Sequence, residues 1–302
     1  DKLLDVEFTP NAVRQKLKQL KPASAPGSDG VHPRILHECA DELALPMAML
    51  FNLSMETGVL PQDFKRTNIT PIFKKGKRSS PENYRPINLV SVPAKVMESI
   101  VKDNIMTHLH QNNLIYPSQH GFLPGRSCNT NLLEYTNLVT KALDQGLSYD
   151  AIMLDYRRAF DKVPFRQMIS KLKSHGIDGK ALKWITDWTT NRLQRVVLNG
   201  TQSDWEKVLS SVVQGSVLGP ILFLIFINDL DIHINPNHNI LISKFADDTK
   251  LGKEITTNND CLQLQYALDE LVAWSHMNGM ELHADKCVVL HFGRKNPQYE
   301  YN

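Results

Sequence analysis

Cysteine is scarce in this chain of 302 residues, and the 4 present (Cys39, Cys128, Cys261 and Cys287) form no C-x-x-C pair. That excludes a zinc-ribbon spacing and a disulfide framework, and leaves the reading of scattered reduced thiols in an intracellular protein. Long apolar runs are missing too. The longest, Val217 to Ile227, carries a glycine and a proline and falls short of the roughly 20 residues that a bilayer crossing takes. No signal-peptide pattern is visible, and the first residue is Asp rather than Met, so the sequence reads as a fragment. Internal repeats and low-complexity tracts are absent. Charge of one sign is absent as well: the net value is only +2, which argues neither for nor against nucleic acid. What is there, 42% hydrophobic and 22% charged residues, is the composition of a globular chain with a sizeable core, in one large domain or two smaller ones.

Charge is uneven along the chain. Between Lys65 and Arg85 stand Lys65, Arg66, Lys74, Lys75, Lys77, Arg78 and Arg85, with Glu82 as the one acid. Such a run is either a solvated face or a phosphate-binding one.

Local patterns place the elements. Thr9-Pro10 starts a helix carrying Val13, Leu17 and Leu20 on one face, and Lys21 to Gly30 is a loop. Helices are predicted from Pro33 to Leu45 and from Pro46 to Glu56, closed by Gly58. Asn68 to Phe73 reads as a short edge strand. Further helices are predicted over Ser91 to Asn112 and over Asn131 to Gln145, the second with Leu132, Tyr135, Leu138, Val139, Ala142 and Leu143 inside. Ala151 to Tyr156 is a buried strand, followed by helices at Phe165 to His175 and Gly179 to Asn191. Gln194 to Leu198 runs into the Asn199-Gly200 turn and returns as Trp205 to Val212. Pro220 to Leu230 is apolar all round and must be buried as a helix. Ile240 to Phe245 and Thr249 to Ile255 form a hairpin, Cys261 to Met277 an amphipathic helix, and Val288 to Phe292 a last strand. The mixture is α+β, with an antiparallel central sheet and helices on one face.

The chemistry lies in three aspartates at strand ends. Asp155 follows Ile152-Met153-Leu154, and Asp247-Asp248 sits at the hairpin turn after Phe245-Ala246. Each carboxylate alone could be a cap or a surface charge. Two buried strand ends converging with unpaired carboxylates would repel unless cations neutralise them. Hard divalent ions take such oxygen ligands, and Mg²⁺ uses few of them. The reading is two Mg²⁺ ions (with Mn²⁺ as a substitute) held by Asp155 and Asp247, supported by Asp248, for a phosphoryl transfer.

Further motifs stand in order around these aspartates. They are Asn83-Tyr84-Arg85-Pro86-Ile87-Asn88-Leu89, Gln119-His120-Gly121-Phe122-Leu123-Pro124-Gly125-Arg126-Ser127, Gln214-Gly215-Ser216-Val217-Leu218-Gly219-Pro220 and Asp285-Lys286-Cys287. With Ala25-Pro26-Gly27-Ser28-Asp29-Gly30 upstream, the chain resembles, over nearly its whole length, the reverse transcriptases of non-long-terminal-repeat retrotransposons of the jockey and chicken-repeat-1 type.

The resemblance implies a right-hand polymerase fold: a helical extension over about 1–60 and a reverse transcriptase domain over 61–302. Fingers are expected at about 61–148 and 165–212, a palm of antiparallel sheet packed on helices at about 149–164 and 213–295, and a thumb largely absent. It implies RNA template, DNA primer and deoxynucleotides as partners, with Lys74, Lys75, Arg85, Tyr156, Phe160, Gln214 and Gly215 at the nucleotide. Phe160, five residues after Asp155, excludes a ribose 2′-hydroxyl. Gly121, Gly125 and Arg126 grip the template, and Lys286 protonates leaving pyrophosphate. It also implies an endonuclease elsewhere in a longer polyprotein, no membrane, and a nuclear location with a cytoplasmic ribonucleoprotein stage. Val213 stands where relatives usually have proline and Phe165 where many have histidine, which fits a decaying copy that binds nucleic acid without turnover. A group II intron maturase-like enzyme is the nearest rival of the same class.

Overall fold

The computed structural model describes residues 1–210, 212–234 and 239–302. Ser211, in the expected return strand, and 235–238, in the expected palm segment, lie outside the described residues. The elements run α1 (Pro10–Lys18), α2 (Pro33–Glu38), α3 (Ala40–Thr57), β1 (Arg66–Phe73), β2 (Tyr84–Val90), α4 (Val92–Gln111), α5 (Cys128–Asp144), β3 (Ser148–Leu154), α6 (Ala159–Lys162), α7 (Phe165–Ser174), α8 (Gly179–Thr189), β4 (Leu193–Leu198), β5 (Thr201–Gln202), β6 (Glu206–Lys207), α9 (Gly219–Ile227), α10 (Leu230–His233), β7 (Leu241–Phe245), β8 (Asp248–Ile255), α11 (Asn258–Met277) and β9 (Val288–Phe292). The class is α+β. The chain divides into two compact units, Asp1–Asn112 with Phe165–Leu222, and Asn113–Pro164 with Phe223–Asn302. Residues 1–60 cluster with 61–112, and residues 113–148 cluster with 149–164.

The first unit holds a sheet in the order β2-β1-β4-β5, with β6 also on β4. β1 is therefore internal and not the expected edge strand. Its one proline, Pro71, is accommodated by register. The parallel β4 ladder covers only Arg66 to Ile69, and Pro71 lies beyond it, opposite Pro86 of β2, where neither ring needs an amide hydrogen. The helix break also moves. It falls at Cys39, and Pro46 lies inside α3 rather than starting a helix. Pro46 and Glu42 are exposed, so the carbonyl that loses its amide partner faces water. Gly58 ends α3 at φ 66°, as its sequence position suggested. Of the expected Trp205 to Val212 partner strand, β6 alone forms among the described residues; β5 lies ahead of it, and Ser203, whose hydroxyl accepts from the Val196 amide at 3.0 Å, separates the two. Lys65 leaves the basic run: it is 2% exposed and paired with Asp187 at 2.7 Å.

The first unit also holds a buried polar knot. Glu98 of α4 accepts from Trp188 Nε1 at 2.8 Å and from the amides of Val217 at 2.8 Å and Leu218 at 3.4 Å. Burial pushes its carboxyl up from the ordinary range, and the nearby Arg192 cation opposes that shift. Arg192 is equally buried and donates to the carbonyls of Trp188 and Phe64.

In the second unit the sheet order is β7-β8-β3-β9, antiparallel throughout. Both faces of β3 are covered, which corrects the expected one-sided sheet. Tyr149 and Ala151 pack with Tyr135, Val139 and Ala142 of α5, while Ile152 and Leu154, on the alternate face, are also buried. Leu132, expected inside, is 45% exposed because Asn131 takes the inward place, donating to the Ser243 hydroxyl at 2.7 Å. α9 is buried all round, its residues Ile221 to Ile227 being 2% exposed or less. No described helix is long and apolar enough to cross a membrane.

Candidate active site

Strand register brings the aspartates together. Leu154 of β3 pairs with Thr249 of β8, so Asp155 emerges beside the start of β8. Phe245 pairs with Asp248, which makes Ala246-Asp247 a two-residue turn between β7 and β8. Ala246 takes φ 57°, the left-handed conformation that such a tight turn asks for. Asp155, Asp247 and Asp248 thus occupy the ends of neighbouring strands in one unit.

Their electrostatics follow from that crowding. Asp247 is pushed up to about 6, first by burial, with the charges of Asp248 and Asp155 adding and Lys286 opposing. Asp248 is also raised, by burial and then by Asp155, against Lys250 and Lys286. Lys286 Nζ lies 3.1 Å from Asp155 Oδ2. It arrives there because residues 281–283 pair with the chain leaving β3. Tyr156 bridges Leu282, the Arg157 amide donates to the Glu281 carbonyl at 2.7 Å, and the His283 amide to the Asp155 carbonyl at 2.8 Å. Lys162 and Arg157 both pair with the Glu281 carboxylate.

The other expected residues fall in distinct places. Phe160 is the second residue of the short α6, half-buried, stacked on Phe223 at 4.3 Å and edge-on to Phe122 at 6.3 Å. Tyr156 does not present its phenol to the surface: it is 3% exposed, against Ser275, and burial raises its hydroxyl. Gly121 packs so tightly that a Cβ would lie 2.4 Å from the Ala246 nitrogen. Gly125 has open space around it and is needed for its φ of 72°. Arg126 folds back, its Nη1 donating to the carbonyls of Pro117 and, at 2.8 Å, Gln119.

Lys74, Lys75, Arg85, Gln214 and Gly215 belong to the first unit. Lys74 and Lys75 are exposed in the loop after β1, and Arg85 is exposed on β2 opposite Ile72. Gly215 has φ 87°, and a Cβ there would meet the Asn88 carbonyl at 2.8 Å.

One residue given no role in the sequence reading touches the turn directly. Gln119 is 1% exposed, and its Oε1 accepts from the Ala246 amide at 3.0 Å and the Gly121 amide at 2.7 Å. Nothing in the sequence signals this, since an uncharged glutamine has no periodicity and its partner lies over a hundred residues away.

The donor set suits a hard cation. Three carboxylates face one ammonium, two of the three are held above the ordinary carboxylate range, and Mg²⁺ fills most of its shell with water and phosphate oxygen. Among the described residues no group of three or more His, Cys, Asp or Glu side chains closes into a ready-made metal cage.

Residues 72–301 match the family described as reverse transcriptase (RNA-dependent DNA polymerase). The chain is similar to the RNA-directed DNA polymerase from mobile element jockey of Drosophila funebris, 28% identical over 295 residues, covering 93% of this chain and 31% of that protein. It is also similar to the probable RNA-directed DNA polymerase from transposon BS of Drosophila melanogaster, 28% identical over 272 residues, covering 86% of this chain and 29% of that one. A retrovirus-related Pol polyprotein from type-1 retrotransposable element R2 of Popillia japonica is 27% identical over 286 residues, with 91% and 38% covered. The chain thus spans about a third of the length of these relatives.

Proposed function

The chain belongs to the reverse transcriptase family, and on that footing we propose that it is the polymerase segment of a non-long-terminal-repeat retrotransposon protein. It adds deoxynucleotides to a DNA primer 3′-hydroxyl on an RNA template. One observation carries this reading: Asp155 ends β3 beside the turn that carries Asp247 and Asp248, with Lys286 against Asp155. Asp155 and Asp247, with Asp248 in support, would hold two Mg²⁺ ions or Mn²⁺, which neutralise the triphosphate and acidify the primer hydroxyl. In this reading Lys286 balances Asp155 and donates a proton to the departing pyrophosphate. Arg85, Lys74, Lys75, Gln214 and Gly215 serve the nucleotide, and Gly125 with Arg126 the template. The first unit supplies fingers with the helical extension and the second the palm. An endonuclease resides elsewhere in a longer polypeptide, which works in the nucleus after a cytoplasmic ribonucleoprotein stage. The relatives named for mobile elements favour this over a maturase-like enzyme.

Primer extension on an RNA template with Mg²⁺, native chain against Asp155→Ala, tests it. Extension by the native chain and none by the variant, at equal template affinity, is the expected result. Equal binding with extension by neither replaces polymerase with a nucleic-acid-binding remnant.

Phe160 yields a sharper check. Its ring is fixed by Phe223, so it presents a rigid edge. Phe160→Val should lower the preference for dGTP over GTP, measured as the ratio of kcat/KM values, by about 10²-fold, the scale on which an apolar wall rejects an added hydroxyl. An unchanged ratio assigns Phe160 to the core alone.

A further inference from the structure

The turn bearing Asp247 is not held by its own hairpin alone. β7 is the edge of its sheet, and residues 118–120 pair along that edge. The Lys244 amide donates to the Ser118 carbonyl and the His120 amide to the Lys244 carbonyl, both at 2.8 Å. This short parallel ladder aims the Gln119 side chain at the turn. Gln119 Oε1 takes the Ala246 amide at 3.0 Å, and Nε2 reaches the Ala246 carbonyl at 3.4 Å. Both polar ends of the residue just before Asp247 are therefore engaged by one buried amide.

The segment carrying Gln119 is itself fixed. Arg126 Nη1 donates to the Pro117 and Gln119 carbonyls, and Gly121 leaves no room for a Cβ against the Ala246 nitrogen. A left-handed alanine is a strained choice for a turn, and it persists only where neighbours over-determine it. The residues found to touch it are those of the motif whose glycines the resemblance assigns to the template.

We propose that Gln119 is a positioning residue for polymerisation: its side-chain amide, backed by Gly121, locks Ala246 in the left-handed conformation that presents the Asp247 carboxylate beside Asp155. The assignment rests on the polymerase reading for its kinetic consequence and on the geometry alone for the contact. A primary amide suits the task because it offers an acceptor to the Ala246 and Gly121 amides and a donor to the Ala246 carbonyl at once. A carboxylate in its place would add one more like charge near Asp247.

The test uses Gln119→Met, which keeps length and removes the acceptor, and Gly121→Ala, which presses on the same turn while leaving Gln119 in place. Three quantities are read: kcat of extension, template–primer Kd by fluorescence anisotropy, and exchange of the Ala246 amide by NMR. Both variants should lose kcat roughly 10- to 100-fold, the scale of a catalytic group displaced by about 1 Å. Template–primer Kd should stay within about twofold, since phosphate contacts set that affinity. Ala246 exchange should quicken in both. Loss confined to template affinity would restore the template role and overturn the assignment, as would native kcat with the acceptor gone. If the native chain does not extend primers, the polymerase reading fails separately. Ala246 exchange then decides the contact: protection in the native chain lost in Gln119→Met sustains it, and equal exchange sinks it. If Gln119→Met does not fold, Gly121→Ala and native Ala246 protection decide by the same outcomes.

Discussion

Asp247→Asn is expected to melt higher than the native chain at pH 7.5 while losing polymerase activity by about 10³-fold or more, since the several kcal/mol that ion-held oxygens contribute are forfeited with a metal ligand. The two effects share one cause. Burial, with Asp248 and Asp155 nearby, lifts Asp247 from 3.8 to about 6. A carboxyl raised by folding binds more protons folded than unfolded between those values. Stability therefore falls as pH rises through about 4 to 6, and the penalty is complete above that window. A shift of this size corresponds to at most about 3 kcal/mol, and partial exposure brings the expected gain to about 2 kcal/mol. That is a rise in Tm of about 3 °C for a chain of this size.

The sign can be read two ways in one experiment. Thermal scans from pH 4 to pH 8 should show the advantage of Asp247→Asn shrinking to nothing at the acid end, where the native carboxyl is protonated. Added Mg²⁺ should raise the native Tm at pH 7.5 and narrow the gap, because a ligand that binds only the folded state stabilises it by mass action. A variant less stable than the native chain at pH 7.5, or an advantage that persists at pH 4, would mean that Asp247 is not held in an unfavourable charged state.

How much of this was legible beforehand depends on the range of the interaction. The strands flanking the aspartates were readable because apolar runs ending in Asp155 and Asp247 are local signals, as was the Gly58 cap with its left-handed backbone. The β7–β8 hairpin and the inward side of α11 followed from periodicity for the same reason. Properties set by partners remote in sequence were not readable. The edge reading of β1 failed because a parallel neighbour more than a hundred residues on decides whether a strand is internal. Pro46 read as a helix start because the exposed carbonyl that tolerates it is a tertiary fact. Lys65 looked like surface charge until Asp187 was found against it. Gln119 lacks any pattern at all, and only the edge of β7 gives it work.

Glu98 is the extreme of that class, a carboxylate on the buried face of α4 whose partners come from two other stretches of chain. Glu98→Ala should destabilise the first unit by about 3–5 kcal/mol, since each buried donor left without its acceptor costs about 1–3 kcal/mol. The substitution leaves the Trp188 indole and the Val217 and Leu218 amides without their acceptor, and the Arg192 cation buried without a counter-charge. Glu98→Gln keeps one carbonyl oxygen and should lose roughly half as much, because that oxygen can serve either the Trp188 indole or the Val217 and Leu218 amides, which bond opposite oxygens of the carboxylate, but not both. Removing the surface Lys2–Asp178 pair, by contrast, should change stability far less than either Glu98 variant. Urea titrations of the three variants, followed by tryptophan fluorescence since Trp188 sits in the knot, give the ranking directly. Val217 and Leu218 follow Gln214-Gly215 in the chain, so the same carboxylate fixes the loop that carries the proposed nucleotide contacts. A Glu98→Ala chain as stable as the native one would show that water or a shifted backbone takes over these donors, and that the knot neither anchors α4 nor fixes that loop.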